Sequence, residues 1–121
     1  MAWTFDNNQP IYIQIMDRIK QQIVSKELKT GDRLPSVREY AEVAGVNPNT
    51  IQRSLSELEK EGFVYTQRTA GRFVTDNEEL IAQERQALAL GELTRFVTTM
   101  EKLAYPAEEL AELVNNYLQK P

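Results

Sequence analysis

The sequence has no cysteine and no histidine among its 121 residues. Disulfides, a thiolate nucleophile, the commonest general base and most transition-metal ligands are therefore excluded. The five glycines are isolated, so no glycine-rich loop is present to cradle a phosphate. We expect no enzyme, no cofactor and no metal site.

Long apolar runs are also missing. No stretch approaches the roughly 18 residues that a membrane-spanning helix needs, and no secretory signal is visible. Hydrophobic residues make up 41% and charged residues 26%, which is ordinary for a globular domain. We expect a cytoplasmic protein without membrane contact, built as one domain with an appendage.

An excess of positive charge is absent too, since the formal net charge is −4. The acidity is concentrated in one region, because residues 1–75 carry +1 and residues 76–121 carry −5. Binding to phosphates depends on local lysine and arginine. The negative total therefore does not exclude nucleic acid as a partner of residues 1–75.

Isoleucines recur at every fourth position from Ile11 to Ile23, with Pro10 suited to a first helical position. This pattern predicts a helix from about 10 to 27. Residues 28–35 contain a glycine and a proline without a helical period, so we expect a loop there.

Two short helices separated by a tight turn are predicted next. Ser36 and the glutamate three residues later have the spacing of a capping box, and Gly45 ends the helix that they start. Asn47 caps the following helix, with Pro48 at its first position, and Gly62 marks its end. This arrangement is the helix-turn-helix pattern.

Two strands are predicted at 63–66 and 72–75, around a short turn. An isolated hairpin is marginally stable in water, so we expect its aromatic residues to pack on the helices. The fold class is therefore mostly α with a small β-hairpin, in which residues 1–75 form a winged helix-turn-helix DNA-binding domain.

Residues 76–121 predict a C-terminal antiparallel helix pair. A second capping-box pattern at Asp76 starts a long helix to about Ala104, and Pro106 opens the last helix. Apolar residues of this pair exceed what two isolated helices can cover. They are Leu88, Phe96, Met100, Leu110, Leu113 and Tyr117. A second subunit is the simplest cover, giving a dimerisation region; the alternative is that the pair folds back onto its own winged domain.

The helix that Pro48 opens has the composition expected of a recognition helix in the major groove. Residues 47–56 contain no acidic side chain. Asparagine or glutamine can pair with adenine and arginine with guanine, and a helix N-terminus favours phosphate. The candidate contacts are Asn47, Asn49, Thr50, Gln52 and Arg53. Asn47 can instead be only a cap, and Thr50 and Gln52 can be solvated surface.

Further candidate contacts lie outside that helix. Arg38 either contacts a phosphate or pairs with Glu42 one turn away. Arg68 and Arg72 flank the hairpin turn, where a basic tip contacts the minor groove or phosphates, although arginine there also serves solubility. Ser36 is first a cap and second a phosphate contact.

An ordered set of residues over some sixty positions carries a family resemblance. The set comprises Gly31-Asp32-Arg33-Leu34-Pro35-Ser36-Val37-Arg38-Glu39, Ala41, Gly45-Val46-Asn47-Pro48-Asn49-Thr50, Leu55, Leu58, Glu59, Gly62 and Gly71-Arg72-Phe73-Val74. Over residues 8–75 the sequence resembles the GntR family of bacterial transcription regulators. The two-helix tail resembles that of the YtrA subfamily, where it is a dimerisation element.

The resemblance implies a cytoplasmic homodimer that binds a palindromic operator in double-stranded DNA. It implies that Arg38 contacts the backbone or a base, that Thr50 contacts phosphate, and that Gly71 lets the wing approach DNA. It also implies a repressor of its own operon, in a subfamily that often controls transporter or drug-resistance genes.

The sequence departs from the family pattern at two places. Many members have arginine where this chain has Pro48, and Gly-x-Gly-Thr where this chain has Thr69-Ala70-Gly71-Arg72. The expected base contacts therefore shift to Asn49 and Arg53, with Arg72 as a substitute contact on the wing. Two other functions stay open: a winged-helix protein-interaction module with an acidic recruiting tail, and a sensor of an unidentified small-molecule effector.

Overall fold

The computed structural model describes residues 2–120 as five helices and a two-stranded antiparallel sheet. The elements are α1 (Ile11–Val24), α2 (Val37–Ala44), α3 (Pro48–Lys60), β1 (Val64–Gln67), β2 (Gly71–Val74), α4 (Glu78–Lys102) and α5 (Ala107–Leu118). The predicted fold class is confirmed. The chain forms two compact units that divide between Arg85 and Gln86. The predicted assignment to domains 1–75 and 76–121 stays a prediction, and its ends, Met1 and Pro121, lie outside the described residues.

Helices α1 and α3 form the centre of the core of the first unit. Ile15 and Ile19 of α1, and Ile51 and Leu55 of α3, have no solvent exposure. Fully burying such a side chain contributes about 1.5–3 kcal/mol, so this contact dominates the stability of the unit. Ser54 is the buried polar residue of α3, and its hydroxyl is satisfied because it donates to the backbone carbonyl of Tyr12.

Capping residues fix the positions at which α2 and α3 begin. The backbone N–H of Glu39 donates to Oγ of Ser36, and the N–H of Ser36 donates to the Glu39 carboxylate, as the capping box predicts. Gly45 ends α2 with φ of +73°, a conformation that favours glycine. Asn47 caps α3 through a 2.7 Å hydrogen bond from the N–H of Asn49. The helix-turn-helix prediction is confirmed, with a turn of residues 45–47.

The residues that precede α1 pack on the first unit as an extended segment. The Trp3 ring lies edge-on to Tyr40 at 6.2 Å between centroids, and the Arg18 guanidinium lies 4.3 Å from the Trp3 ring centroid. The only tryptophan of the chain therefore lies against α1 and α2.

The hairpin is attached to the helices by a continuous apolar face. Val64 pairs with Val74, and both are buried, as is the preceding Phe63. On the opposite face Tyr65 stacks on Phe73 with 5.7 Å between ring centroids. The predicted support from aromatic residues is thus provided by Phe63, while the other two aromatics pack on each other.

The segment before α2 was predicted as a loop, but part of it pairs with the free edge of β2. Arg33 forms an antiparallel bridge with Phe73, and the N–H of Leu34 donates to the Arg72 carbonyl at 2.8 Å. The N–H of Val74 donates in turn to the carbonyl of Asp32. A third short extended segment therefore stabilises the hairpin, a long-range pairing that local sequence patterns do not indicate.

Two helix boundaries differ from the prediction. Helix α1 begins after Pro10, which is its N-cap with ψ of 141°, and ends at Val24 rather than 27 because Lys26 adopts a left-handed φ of +68°. Asp76 does not cap α4; the N–H of Leu80 donates to Oδ1 of Asn77 at 3.1 Å. Each strand is also shifted by about one residue relative to the prediction.

Helix α5 and the part of α4 that follows Arg85 form the predicted antiparallel pair in the second unit. Ala104, with φ of +61°, turns the chain between them. Val97 and Leu110 line one hollow, and Leu93 and Tyr117 line the next, so positions advance in opposite directions along the two helices.

Candidate nucleic-acid interface

The leading end of α3 is exposed to solvent. Asn49, Gln52 and Arg53 are exposed, and Thr50 is half-buried. Because Asn47 uses its side-chain oxygen to cap the helix, its structural role is confirmed. The Gln52 amide lies 3.4 Å from the Ser56 hydroxyl, a weak interaction that leaves it able to contact a ligand.

The carboxylates of α3 and of the residue that follows it lie at the far end of the helix, where they form two ion pairs and one hydrogen bond. Glu57 pairs with Lys60 at 3.4 Å, and Glu59 accepts a 2.7 Å hydrogen bond from Thr66 of β1. Glu61, which follows α3, pairs with Lys20 of α1 at 2.7 Å. The negative charge of this segment is therefore partly compensated and lies away from the leading end.

Arg53 stacks on an aromatic ring of α1. Its guanidinium carbon lies 3.7 Å from the centroid of the Tyr12 ring. Both residues line a shallow depression of about 270 Å³ together with Ile11, Asn49 and Thr50. The structure therefore brings three predicted contact residues together and adds the beginning of α1 to their surface.

Residues of α2 add a basic side chain and a hydroxyl. The Arg38 side chain is 90% exposed and lies 3.5 Å from the Glu42 carboxylate. Exposed pairs of this spacing contribute only about 0.3–0.5 kcal/mol, so Arg38 can exchange Glu42 for a phosphate at little cost. The Ser36 oxygen accepts the capping hydrogen bond from the N–H of Glu39. Separate hydrogen bonds to the Glu39 carboxylate, first from the Ser36 backbone N–H and then from the Ser36 side chain, lower the pKa of Glu39.

The hairpin brings three arginines to one end of the sheet. Arg68 is exposed in the turn, whereas Arg72 is half-buried and its Nε has no hydrogen-bond partner among residues 2–120. Gly71 has φ of +108°, and a Cβ at this position would lie 3.1 Å from Nε of Arg33. The backbone conformation therefore favours glycine here, and a larger residue would also displace the flexible Arg33 side chain slightly.

Two residues of this surface were missed as site residues by sequence reasoning. Arg33 reaches the hairpin only because residues 31–34 pair with β2, a contact between segments about forty positions apart. Tyr12 lies beside the isoleucine stripe of α1 and was not singled out from the sequence. The sequence offered one signal for its role, an aromatic residue at the edge of that stripe. The structure shows that Tyr12 is half-buried there.

The predicted dimerisation residues all lie in the second unit, and each is at least partly exposed to solvent. Phe96 and Tyr117 are 38% and 74% exposed, and the other four are half-buried. Phe96, Leu113 and Tyr117 line a hollow of about 450 Å³ with Leu93 and Val114. Leu110 lines the adjoining hollow, whereas Leu88 and Met100 line neither.

Across residues 2–120 no helix is both long and apolar enough to cross a membrane. The same residues hold no group of three or more side chains suited to binding a metal ion. The basic helix end and hairpin of the first unit are therefore the strongest candidate site.

The sequence profile of the family described as bacterial regulatory proteins, gntR family, matches residues 11–74. The chain belongs to the GntR family. The match covers α1 to β2, and thus every predicted contact residue. As a GntR protein, the chain is a DNA-binding transcription regulator.

Similar proteins extend the match into the second unit. The chain is 42% identical over 115 residues to the HTH-type transcriptional regulator YhcF of Bacillus subtilis, covering 95% of each chain. It is 34% identical to the B. subtilis transcriptional repressor YtrA, covering 84% of this chain and 73% of YtrA. A GntR family transcriptional regulator from Listeria monocytogenes is 38% identical, with a TM-score of 0.81 and coverage of 93% and 98%. The predicted likeness to YtrA is confirmed.

Proposed function

We propose that this GntR protein is a homodimeric repressor that binds a palindromic operator in double-stranded DNA. The observation that carries the proposal is the exposed, acid-free leading end of α3, in a unit that also exposes Arg38 of α2 and Arg68 of the hairpin. This surface joins sequence-reading side chains with phosphate-binding ones, which a specific DNA site requires.

In the proposed complex α3 lies in the major groove with its N-terminus leading. Asn49 and Arg53 contact bases, since an amide side chain matches adenine and a guanidinium matches guanine. Asn47, Thr50 and Gln52 border the same end, and Thr50 contacts phosphate. The backbone N–H groups at the start of α3 add favourable electrostatics for an adjacent phosphate.

The flanking elements hold the backbone on either side. Arg38 and Ser36 contact phosphate from the start of α2. Arg68, exposed at the hairpin turn, enters the minor groove or binds its phosphates, and Gly71 permits close approach. Arg72 is half-buried and is the least accessible of these arginines, and it is the substitute contact on the wing.

The second subunit is a copy of this chain docked on the apolar face of α4 and α5. That face exposes Leu93 by 54% and Tyr117 by 74%, too much apolar surface for two helices in water. A single short recognition helix reads few base pairs, so specific binding generally needs two half-sites about 34 Å apart. A dimer formed through this face covers the apolar surface and also supplies the two recognition helices.

A dimer held on an operator would repress by blocking access to the promoter. The similarity to YtrA of B. subtilis, a protein named as a repressor, supports this direction of control. The proposal further includes a cytoplasmic location, no enzymatic activity, and autoregulation of an operon for transport or drug resistance.

A second candidate function is a small-molecule response superimposed on DNA binding. The hollow of about 450 Å³ between α4 and α5 has the size of a ligand site and an apolar lining that includes Phe96 and Leu113. The same hollow lies on the proposed dimer face. An effector would therefore act by changing the dimer rather than by contacting α3.

Selection of binding sites from random duplexes tests the main proposal. We expect a palindrome whose half-sites are separated by about one turn of DNA. Enrichment of no sequence, together with no affinity for any duplex, would reject the proposal in favour of a protein-interaction module.

Affinity for the selected operator then tests the contacts. We expect Arg53→Ala to weaken binding by at least about five-fold and to relax the preference at one base pair. Arg38→Ala should weaken all duplexes alike and reduce the slope of log affinity against log salt by about one unit per half-site. Arg95→Ala, the same change on the exposed surface of α4, is the matched control and should leave affinity unchanged.

A further inference from the structure

We propose that Tyr12 of α1 is a positioning residue for Arg53, holding the guanidinium in the orientation in which α3 presents it to DNA. This inference rests on the proposed function and deepens it, because it assigns part of the sequence specificity to a residue outside the helix-turn-helix. Tyr12 acts through Arg53 and needs no DNA contact of its own.

The geometry of the pair carries the inference. The guanidinium carbon of Arg53 lies 3.7 Å above the centroid of the Tyr12 ring, the spacing of two planes in contact. A guanidinium stacked in this way uses its face and leaves its N–H groups pointing outward in its plane. Those are the groups that form two parallel hydrogen bonds with guanine or with a phosphate.

The ring is a fixed platform because α1 and α3 are joined at this point. The hydroxyl of Ser54, the residue after Arg53, donates to the backbone carbonyl of Tyr12 at 2.9 Å. Ile51 and Leu55, on either side along α3, are fully buried in the contact with α1. The two backbones therefore cannot shift relative to each other without disrupting the core.

Among residues 2–120, Arg53 forms no ion pair or side-chain hydrogen bond that would hold it elsewhere. Within residues 2–120, the carboxylates that form ion pairs do so with Lys20, Arg38, Lys60 and Arg95. Tyr12 is thus the group that restricts an otherwise mobile side chain. Restricting it before binding reduces the conformational entropy that is lost when the complex forms.

Two variants of Tyr12, compared with Arg53→Ala on the selected operator, test the inference. Tyr12→Leu removes the aromatic face but keeps apolar bulk, whereas Tyr12→Phe keeps the face. We expect Tyr12→Leu to lose about two- to five-fold in affinity per half-site, the equivalent of an exposed cation–π contact, and Tyr12→Phe to bind like the unchanged protein. The loss should fall at the base pair that Arg53→Ala relaxes.

A double variant separates positioning from a general effect on folding. In the Arg53→Ala background, Tyr12→Leu should cause no further loss of affinity, because the residue that it positions is gone. Additive losses, equal losses on all duplexes, or a Tyr12→Phe defect as large as that of Tyr12→Leu would overturn the inference. Unchanged or tighter binding by Tyr12→Leu would do so too, since the stack would then hold Arg53 away from DNA.

The protein without DNA gives an independent readout. Ring current from Tyr12 should move the side-chain proton resonances of Arg53 upfield, and Tyr12→Leu should abolish that shift while Tyr12→Phe retains it. Absence of the shift in the unchanged protein would overturn the stack itself. Failure of the unchanged protein to bind any duplex would instead reject the proposed function, so the two failures are distinguishable.

Discussion

Both units of the chain contain amphipathic helices, but only the first covers its apolar side chains within itself. In the first unit α1, α3 and the hairpin enclose residues such as Ile19, Leu55 and Val74, which have no exposure. None of the described residues after Arg85 is buried. Three helices and a sheet surround a core from several sides, whereas two helices can touch along one line only.

Net charge does not distinguish the two units, which each carry −2, but within the first unit the residues up to the end of the hairpin are free of excess acid. Residues 1–75 carry +1 and the remainder −5. Phosphates repel acidic side chains, and the segment that holds the proposed contacts carries no excess of them, so its arginines remain available for binding. The difference in burial predicts that substitutions of apolar residues in the first unit change the free energy of unfolding. Substitutions of apolar residues in the second unit should instead change dimer formation.

The largest effect is expected from Leu55→Ala in the first unit. Removing a fully buried leucine leaves a cavity, and such changes cost about 2–5 kcal/mol in the free energy of unfolding. Fluorescence of Trp3 during urea unfolding measures this loss, because the only tryptophan packs on Tyr40.

The matched change in the second unit is Leu118→Ala, at a leucine that is 72% exposed. It should shift the Trp3 transition by less than about 0.5 kcal/mol. An equal shift for both variants would show that the two units share one folding transition. The proposed difference between the units would then be wrong.

A smaller effect, on assembly rather than folding, is expected from Leu113→Glu. A carboxylate placed in the apolar face of α5 would be buried without a partner in the dimer, at a cost of about 3 kcal/mol or roughly 100-fold in the dimer dissociation constant. Sedimentation across a concentration series measures that constant.

Asn116→Glu is the control, since it adds the same charge at an exposed polar position of α5. It should leave the dimer intact. If Leu113→Glu also sedimented as a dimer, the second copy would dock elsewhere and the proposed interface would be wrong.

Ser36→Ala should destabilise the first unit by about 1 kcal/mol through the loss of the α2 cap. Glu39 adds a pH dependence to the same motif. Hydrogen bonds from the Ser36 backbone, and then from its side chain, lower the pKa of Glu39 in the folded state. Its contribution is thus present above the unfolded pKa of about 4.3 and is lost as the pH falls through the lowered folded pKa.

Glu39→Gln separates the two effects, because glutamine can complete the capping box without titrating. Thermal unfolding from pH 6 to pH 3 should show a flatter acid dependence for Glu39→Gln than for the unchanged protein. Ser36→Ala keeps the backbone hydrogen bond, so it should retain most of that dependence. Identical acid profiles for all three proteins would contradict the assignment.

Local signals were sufficient to predict most of the first unit. The capping box at Ser36, the left-handed Gly45 and the cap at Asn47 each act within a few residues, so the sequence shows them directly. The buried stripe of α3 was equally predictable from helical spacing. The cap of α4 was predicted one residue early, because Asp76 and Asn77 are both good caps and the backbone selects between them.

Contacts between distant segments were not predictable. The pairing of Arg33 with Phe73 and the stack of Arg53 on Tyr12 each join residues about forty positions apart. Such contacts depend on how elements pack, which a hydrophobic period does not specify. The candidate site was therefore predictable as a set of exposed residues on α2, α3 and the hairpin, but not in the contacts that orient their side chains.

The smallest effect is expected from substitutions of two glycines that lie in different backbone conformations. Gly91 lies inside α4, and a Cβ there would meet nothing within 4 Å, so Gly91→Ala should stabilise the helix by about 0.5–1 kcal/mol. Gly71→Ala should instead destabilise the hairpin, since a φ of +108° is strained for any residue with a Cβ. Circular dichroism at 222 nm follows the total helix content, to which α4 contributes more residues than any other helix, and Trp3 fluorescence follows the first unit. Weaker dimerisation of Gly91→Ala would mean that the second copy approaches α4 at Gly91, because only a partner backbone gives this exposed glycine a packing role.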